Sequence, residues 1–447
     1  MFYKLKLINI LLFTIMSKEL TKCLNNLNLE YNYEKVKKYY DNVLNKDKTT
    51  FTSSNDIPTP IDCVEEIVDK IPVELWKRKD LKILDPCCGN GNFFLNVYEK
   101  LKEHHSEKCI LENILHFNDI NKLRLSNVRK TFEKNNYKLL ISEKDYLTYN
   151  EEDKYDLIIT NPPYAKLMED NKRSSKNHNL IGLFIEKSFK LLKKNGFLVF
   201  LTPDNWMSCS DRNKLIYEIT KKQIIHLNIH TAKKYFKKIG SSFTWYIIEN
   251  KPFYKNINVE GIWRKEKYIS SINPQEQGFI PLFFNCMVQN ILNKTIIDTE
   301  IEKFKIITTS FLHKYTKKEL INKEKDDIFK YKLIHTPKQT VYSKKPHKFQ
   351  EGYKVFISLT DKYNVFIDEC GMTQSIAFIL CDNKKEAEKY KKTLTHPLYV
   401  FINNICRWGN FNNVRILQKF PIPQDFNNIY KSFNITDKEI KFIEDNL

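Results

Sequence analysis

Between residues 81 and about 250, short apolar, β-branched runs alternate with longer amphipathic stretches, and this restricts the fold more than any other feature of the chain. Strands that are apolar on both faces must be covered on both. The pattern therefore predicts a mostly parallel sheet flanked by helices, an α/β fold. "LKILD" reads as the first strand, "PCCGNGN" as a turn, and the stretch from Phe93 to Glu103 as a helix. "ILHFNDI" and "KLLIS" read as the next two strands, joined by a helix over "NKLRLSNVRKTFEKNN". After "YDLIIT" the polar run "AKLMEDNKRSSKNHN" predicts a mobile loop, and "LFIEKSFKLLKKN" predicts a helix that ends at Gly196 in a left-handed turn. "FLVFLTP", "KQIIHLNIH" and "SSFTWYIIEN" complete the sheet.

In a sheet wound this way, ligands bind beyond the carboxyl ends of the strands. Three of these ends carry suitable residues. Asp85-Pro86 leads into a turn in which Gly89 and Gly91 permit close backbone approach, and the helix that follows directs its N-terminus at the same place. Asp119 ends the second strand and suits a ribose diol, whereas Asp145-Tyr146 after the third offers a carboxylate and a ring. Each is weak alone, since acidic residues at strand ends usually form turns or caps. "NPPY" then ends the fourth strand.

Asn161, Pro162, Pro163 and Tyr164 meet a specific chemical requirement. The exocyclic amine of adenine, like that of cytosine, is a poor nucleophile, because its lone pair is delocalised into the ring. Two acceptors holding its N–H groups favour a pyramidal nitrogen. The Asn161 side-chain oxygen supplies one acceptor and the Pro162 carbonyl the other. Proline has no N–H to compete and a fixed φ, and Pro163 holds Pro162 extended. Tyr164 offers a ring face to a base taken out of its helix.

In order and spacing, "DPCCGNGNFF" followed by "NPPY" resembles the S-adenosylmethionine-dependent N6-adenine DNA methyltransferases, in the gamma arrangement of TaqI-type restriction-modification enzymes. The resemblance implies a methyltransferase Rossmann-like sheet with an antiparallel final strand pair and a C-terminal α+β target-recognition domain. It also implies a cofactor, S-adenosylmethionine. Thr59, in "IPTPID", would lie near its methionine carboxylate. Asp85, Gly89 and Gly91 would lie along the methionine part, Asp119 on the ribose, and Asp145 and Tyr146 at the adenine, with Pro86 and Ile120 as further cofactor-binding residues. Phe236 falls where the family often packs an aromatic on the target base, with Tyr235 and Phe243 as neighbouring alternatives.

The remainder of the chain is consistent with a DNA-acting enzyme. Of its 447 residues, 73 are Lys or Arg and 54 Asp or Glu, a formal charge of +19 that favours polyanions, although an AT-rich genome would also enrich lysine. Ten cysteines without a CxxC pair or zinc spacing argue against a disulfide framework or structural metal and for a reducing, cytoplasmic setting. "MFYKLKLINILLFTIM" imitates a signal peptide but lacks a small-residue cleavage site and is too short to span a bilayer, so an upstream start with Met16 as the true beginning, or a docked segment, is expected. The expected domains are a lead-in over 1–50, the catalytic domain over 51–252 and a recognition domain over 253–447.

In the last of these, "YKLIHTPKQTVYSKKPHKFQEGYK" mixes lysines with aromatic rings, and Lys344, Lys345 and Lys348 are candidates for the DNA backbone. "PLYVFINNICRWGNFNNVRILQKFPIP" resembles the aromatic and Asn-rich turns that close specificity domains, with Arg407 and Trp408 as further candidates and Trp408 favoured as core. A nuclease constellation is not evident, so the expectation is a monomeric modification enzyme acting on double-stranded DNA beside a separate cognate endonuclease. The rival readings are an adenine methyltransferase of structured RNA, a protein glutamine-N5 methyltransferase, which shares "NPPY" and the amide-nitrogen problem, and a catalytically idle nucleic-acid-binding protein, against which the intact Asn161 and cofactor residues argue.

Overall fold

The computed structural model describes residues 32–51, 57–133, 135–148, 150, 152, 154–164, 180–209, 215–236, 242–275, 277–298, 300–310, 318–360, 362–409 and 411–447. The N-terminal apolar run, the choice between Met1 and Met16, and the loop expected over 165–179 lie outside them. No helix among the described residues is long and apolar enough to cross a membrane.

The chain forms two compact units that are not consecutive in sequence. One runs to Pro203 and includes Lys222–Asn228 and Ala232–Tyr254; the other takes Asp204–Lys221, Ile229–Thr231 and Lys255–Leu447. In the first unit the strands are β1 (Ile83–Asp85), β2 (Leu115–Asn118), β3 (Leu140–Ser142), β4 (Tyr155–Thr160), β5 (Leu192–Pro203), β6 (Lys222–Ile229) and β7 (Phe243–Pro252). They lie in the order β3-β2-β1-β4-β5-β7-β6. Pairing is parallel from β3 through β5, and β7 enters antiparallel to β5, with Phe197 opposite Glu249 and Pro203 opposite Phe243. The fold is thus α/β with a mixed central sheet.

Burial explains why β4 is mostly apolar: all six of its residues are buried. Its one carboxylate, Asp156, is held by Lys193 Nζ at 2.7 Å, Arg78 Nη1 at 3.2 Å and the Lys82 N–H at 3.0 Å. A buried charge is tolerated only when paired in this way. Chain order reverses between β1 and β4, since β2 and β3 extend to one side of β1 and β4 and β5 to the other. That reversal opens the crevice in which ligands of such sheets are held.

One expected boundary is corrected. The helix after β4 is Leu180–Leu191, and β5 starts immediately at Leu192, well before Gly196. Asn195 takes the left-handed φ of 63°. Gly196 is required for a different reason: a Cβ there would lie 3.0 Å from the carbonyl oxygens of Lys193 and Tyr155.

The second unit contains the hairpin β8 (Ile257–Trp263) and β9 (Glu266–Ile272) and two four-stranded sheets. One sheet includes β12 (Tyr331–Thr336) and β13 (Gln339–Ser343), and the other β14 (Lys354–Ser358). The residues expected to form closing turns begin instead with a helix, Pro397–Ile405, capped by the His396 side chain with proline in its first turn. Trp408 is buried and donates from Nε1 to the Ile280 carbonyl at 3.0 Å, whereas Arg407 is half-buried.

Candidate active site

At the carboxyl end of β1, Gly89 and Gly91 take φ values of 54° and 86°, a region open chiefly to glycine. Gly91 caps the helix Asn92–Lys102, and a Cβ on it would meet the Phe132 ring at 3.0 Å. Asp119 ties this loop to the end of β2. Its Oδ2 accepts the Gly89 N–H at 2.8 Å and its Oδ1 the Asn121 N–H at 2.8 Å. Two candidates thirty positions apart thus meet directly.

Asp85 is fully buried, and burial pushes its carboxyl up to about 8, with the Asp119 charge adding to the effect. The Thr160 hydroxyl and the Cys87 N–H, 3.1 Å from Oδ1, act in the opposite sense. Pro86 is buried, and its carbonyl accepts from Asn118 Nδ2 at 2.9 Å. The same amide group donates to the Lys144 carbonyl at 3.0 Å, so Asn118 spans the loops after β1 and β3. Sequence reasoning missed this residue. Its only signal was a polar side chain closing an apolar strand.

Asp145 is exposed, and its Oδ1 accepts the Leu147 N–H at 2.9 Å. Tyr146 departs from expectation. Its ring is buried against Phe184 with centroids 5.3 Å apart, and its hydroxyl meets Ser188 Oγ at 3.0 Å, so it presents no open face. Ile120, directly after Asp119, is 65% exposed and supplies an apolar surface at that edge instead.

"NPPY" follows β4 without a break. The half-buried Asn161 amide is held from both ends: Nδ2 donates to Thr59 Oγ1 at 3.1 Å, and Oδ1 accepts from the Tyr164 hydroxyl. Thr59 itself is buried, and its carbonyl accepts from Asn92 Nδ2 at 2.7 Å. Pro162 is buried and Pro163 exposed. Tyr164 is half-buried, with its ring 6.2 Å from that of Phe243. Phe236 lies one layer deeper, 4% exposed and 4.9 Å from Phe243, so its ring belongs to the core as placed here. Tyr235 donates from its hydroxyl to Glu66 at 2.8 Å.

The segment expected as a polar lead-in joins the site. Helix Tyr33–Asn42 buries Val36 and Tyr40, and Leu44 continues that spacing into the core. The three apolar positions, four residues apart, were the legible signal. Tyr40 donates its hydroxyl to the Asn90 carbonyl, between the two loop glycines, at 2.8 Å.

In the second unit Lys344, Lys345 and Lys348 are all exposed. Lys344 Nζ lies 5.0 Å from the centre of the Phe329 ring and Lys348 Nζ 5.4 Å from that of Phe349.

Residues 13–236 match the Eco57I restriction-modification methylase family. The chain belongs to that family. Among curated relatives, the type II methyltransferase M.VspI of Vibrio sp. (strain 343) is 26% identical over 185 residues, covering 38% of this chain and 42% of that protein. M.AccI of Acinetobacter calcoaceticus is 31% identical over 167 residues, covering 34% and 29% respectively. The matched stretch thus spans less than half the length of either relative. Two solved structures share the fold. A nuclease-deletion mutant of the type ISP restriction-modification enzyme LlaGI, in complex with a DNA substrate mimic, aligns with TM-score 0.52 at 15% identity, covering 93% of this family member and 56% of that chain. The DrdV–DNA complex aligns with TM-score 0.51 at 12% identity, covering 93% and 60%.

Proposed function

We propose that this family member is an S-adenosylmethionine-dependent DNA methyltransferase acting on the N6 amine of an adenine flipped out of duplex DNA, as the modification enzyme of a restriction-modification system. One observation carries the reading. The Asn161 amide is oriented from both ends at the exit of a buried strand, and that strand pairs with β1, which ends in the glycine loop.

The donor set suits the cofactor. S-adenosylmethionine carries positive charges on sulfur and on its amino group, and Asp119 and Asp145 bring carboxylates to the ends of β2 and β3, beside the buried carboxyl of Asp85 at the end of β1. Gly89 and Gly91 would allow the backbone to approach the methionine part, Thr59 and Pro86 would flank it, and Asp119 would accept from the ribose. Ile120 and Asp145 would serve the adenine, with Tyr146 as a support from the core. Bound there, the cofactor would supply the methyl group.

The chain's own residues orient the amine. Asn161 Oδ1 has two lone pairs, so it accepts one N–H of the base while retaining the Tyr164 hydroxyl; the Pro162 carbonyl takes the other N–H. These fixed acceptors work by orientation and electrostatics, with no reorganisation at the moment of transfer. The Tyr164 ring packs on the base, and Phe236 supports it through Phe243. Lys344, Lys345 and Lys348 contact phosphates, so their contribution is insensitive to sequence.

The test is to incubate the purified chain with labelled S-adenosylmethionine and, separately, duplex DNA, total RNA or a release factor, then to hydrolyse labelled DNA to nucleosides. Label in DNA as N6-methyladenine is expected. Label in RNA or protein alone, or on cytosine, would overturn the assignment.

A further inference from the structure

The glycine loop has few internal constraints, because Asn90 sits between two glycines of positive φ and glycine surrenders more backbone freedom than any other residue. Pins from outside the loop must therefore hold it. Some come from Asn118, Asp119 and Asn127, and a second set comes from residues 33–51. Tyr40 donates to the Asn90 carbonyl at 2.8 Å, and the Asn90 amide reaches the Leu44 carbonyl at 3.5 Å. Asn92, at the start of the next helix, donates to Asn45 Oδ1 at 2.9 Å while it holds the Thr59 carbonyl. On the far side of the crevice, Asn121 donates to the Thr50 carbonyl at 2.8 Å, two residues after Asp119. The Arg124 guanidinium lies 5.7 Å from the centre of the Phe51 ring.

One segment thus touches the loop after β1, the "IPTPID" stretch and the end of β2, the three places assigned to the methionine and ribose parts of the cofactor. Its helix is itself docked, since Lys37 Nζ lies 2.7 Å from both Asp62 and Glu65. We infer that residues 33–51 are a strap that presets the cofactor site, with Tyr40 and Asn45 as positioning residues for S-adenosylmethionine. By holding the loop in its binding shape, the strap removes an ordering cost that the cofactor would otherwise meet on binding. This inference rests on the cofactor reading above.

The test compares the full chain with Tyr40→Phe and Asn45→Ala, using calorimetric binding of S-adenosylmethionine, steady-state kinetics and melting temperature. Each variant should weaken cofactor binding on the order of five- to tenfold, the ordinary worth of one hydrogen bond. The loss should appear in KM for the cofactor and not in kcat at saturation, which a general loosening of the fold would also lower. Asn45 is only half-buried, so its variant decides the matter if Tyr40→Phe is poorly folded. Unchanged affinity in both variants, with wild-type binding intact, would overturn the strap and leave the cofactor reading standing. A wild-type chain that does not bind S-adenosylmethionine would overturn both.

Discussion

The candidate active site and the basic stretch of the second unit place polar groups in opposite ways. Around the glycine loop Asp119 is buried and Asn161 half-buried, and each is held by one distant and one nearby partner: Asp119 by Gly89 and Asn121, and Asn161 by Thr59 and Tyr164. Between β13 and β14 the three candidate lysines stand exposed, and Lys344 and Lys348 have a ring as neighbour. A fourth lysine shows that this exposure is not general. Lys354 is fully buried, and its ammonium donates to the carbonyls of Glu351, Gly352 and Glu369 at 2.8, 2.5 and 3.0 Å. The difference matches the tasks proposed. Orienting one amine requires acceptors that do not move, whereas a phosphate is met by a charge on a flexible stem.

The sharpest way to break the comparison is Asn161→Ala. Methyl transfer should fall about a hundred- to a thousandfold, the scale seen when an oriented polar group is removed from a site of this type, while cofactor affinity stays within about twofold. Turnover near the wild-type rate would remove Asn161 from the acceptor role. Asp119→Ala comes next. It deletes the proposed ribose acceptor and releases the Gly89 N–H, so cofactor affinity measured by calorimetry should fall on the order of a hundredfold. An unchanged affinity would discredit the ribose assignment.

Replacing Lys344, Lys345 and Lys348 together by alanine should weaken DNA binding about tenfold at moderate salt, equally for all sequences. It should also lower the slope of log affinity against log salt by about 2 to 3. Cofactor binding should not change, and an unaltered salt slope would take these lysines off the backbone. Lys354→Ala should act in the other manner, costing on the order of 2 kcal/mol of stability in chemical denaturation because three carbonyls lose their donor.

A last prediction concerns Asp85. Its folded-state pKa of about 8 lies above the value of about 3.9 in an unfolded chain, so the folded state binds more protons between those values. Its contribution to stability is complete below about pH 4 and is lost as pH rises through about 8. Asp85→Asn, which imitates the neutral acid, should flatten the fall in stability measured by urea unfolding between pH 5 and 9. An identical pH profile would show that the carboxyl is ionised in the folded state.

Much of the α/β unit was legible because its strands are apolar on both faces and its turns carry glycine and proline. "ILD", "LHFN" and "YDLIIT" fall where the periodicity placed them. The second unit was not legible in this way, since strands as short as Ile307–Thr308 and Ile321–Asn322 contain no full period. Within the site, Asp119 and Asn161 could be singled out because their residue types suit a stated chemistry at a strand end. Tyr146 and Phe236 could not be settled so: an aromatic residue beside a site reads alike whether its ring faces the crevice or the core. Asn118, Tyr40 and Asn45 escaped notice because their partners are backbone atoms of other segments, and backbone carbonyls leave no trace in composition.

The amino-acid sequence by itself determined the type of sheet, the places where it turns and the reactive groups at its edge, because period and residue chemistry are local properties. Only the tertiary structure decided which groups are oriented and by what. The Asp119 carboxylate comes to hold Gly89, the Thr59 hydroxyl Asn161, and the Tyr40 hydroxyl Asn90, through hydrogen bonds that exist once strands far apart in the chain are packed together.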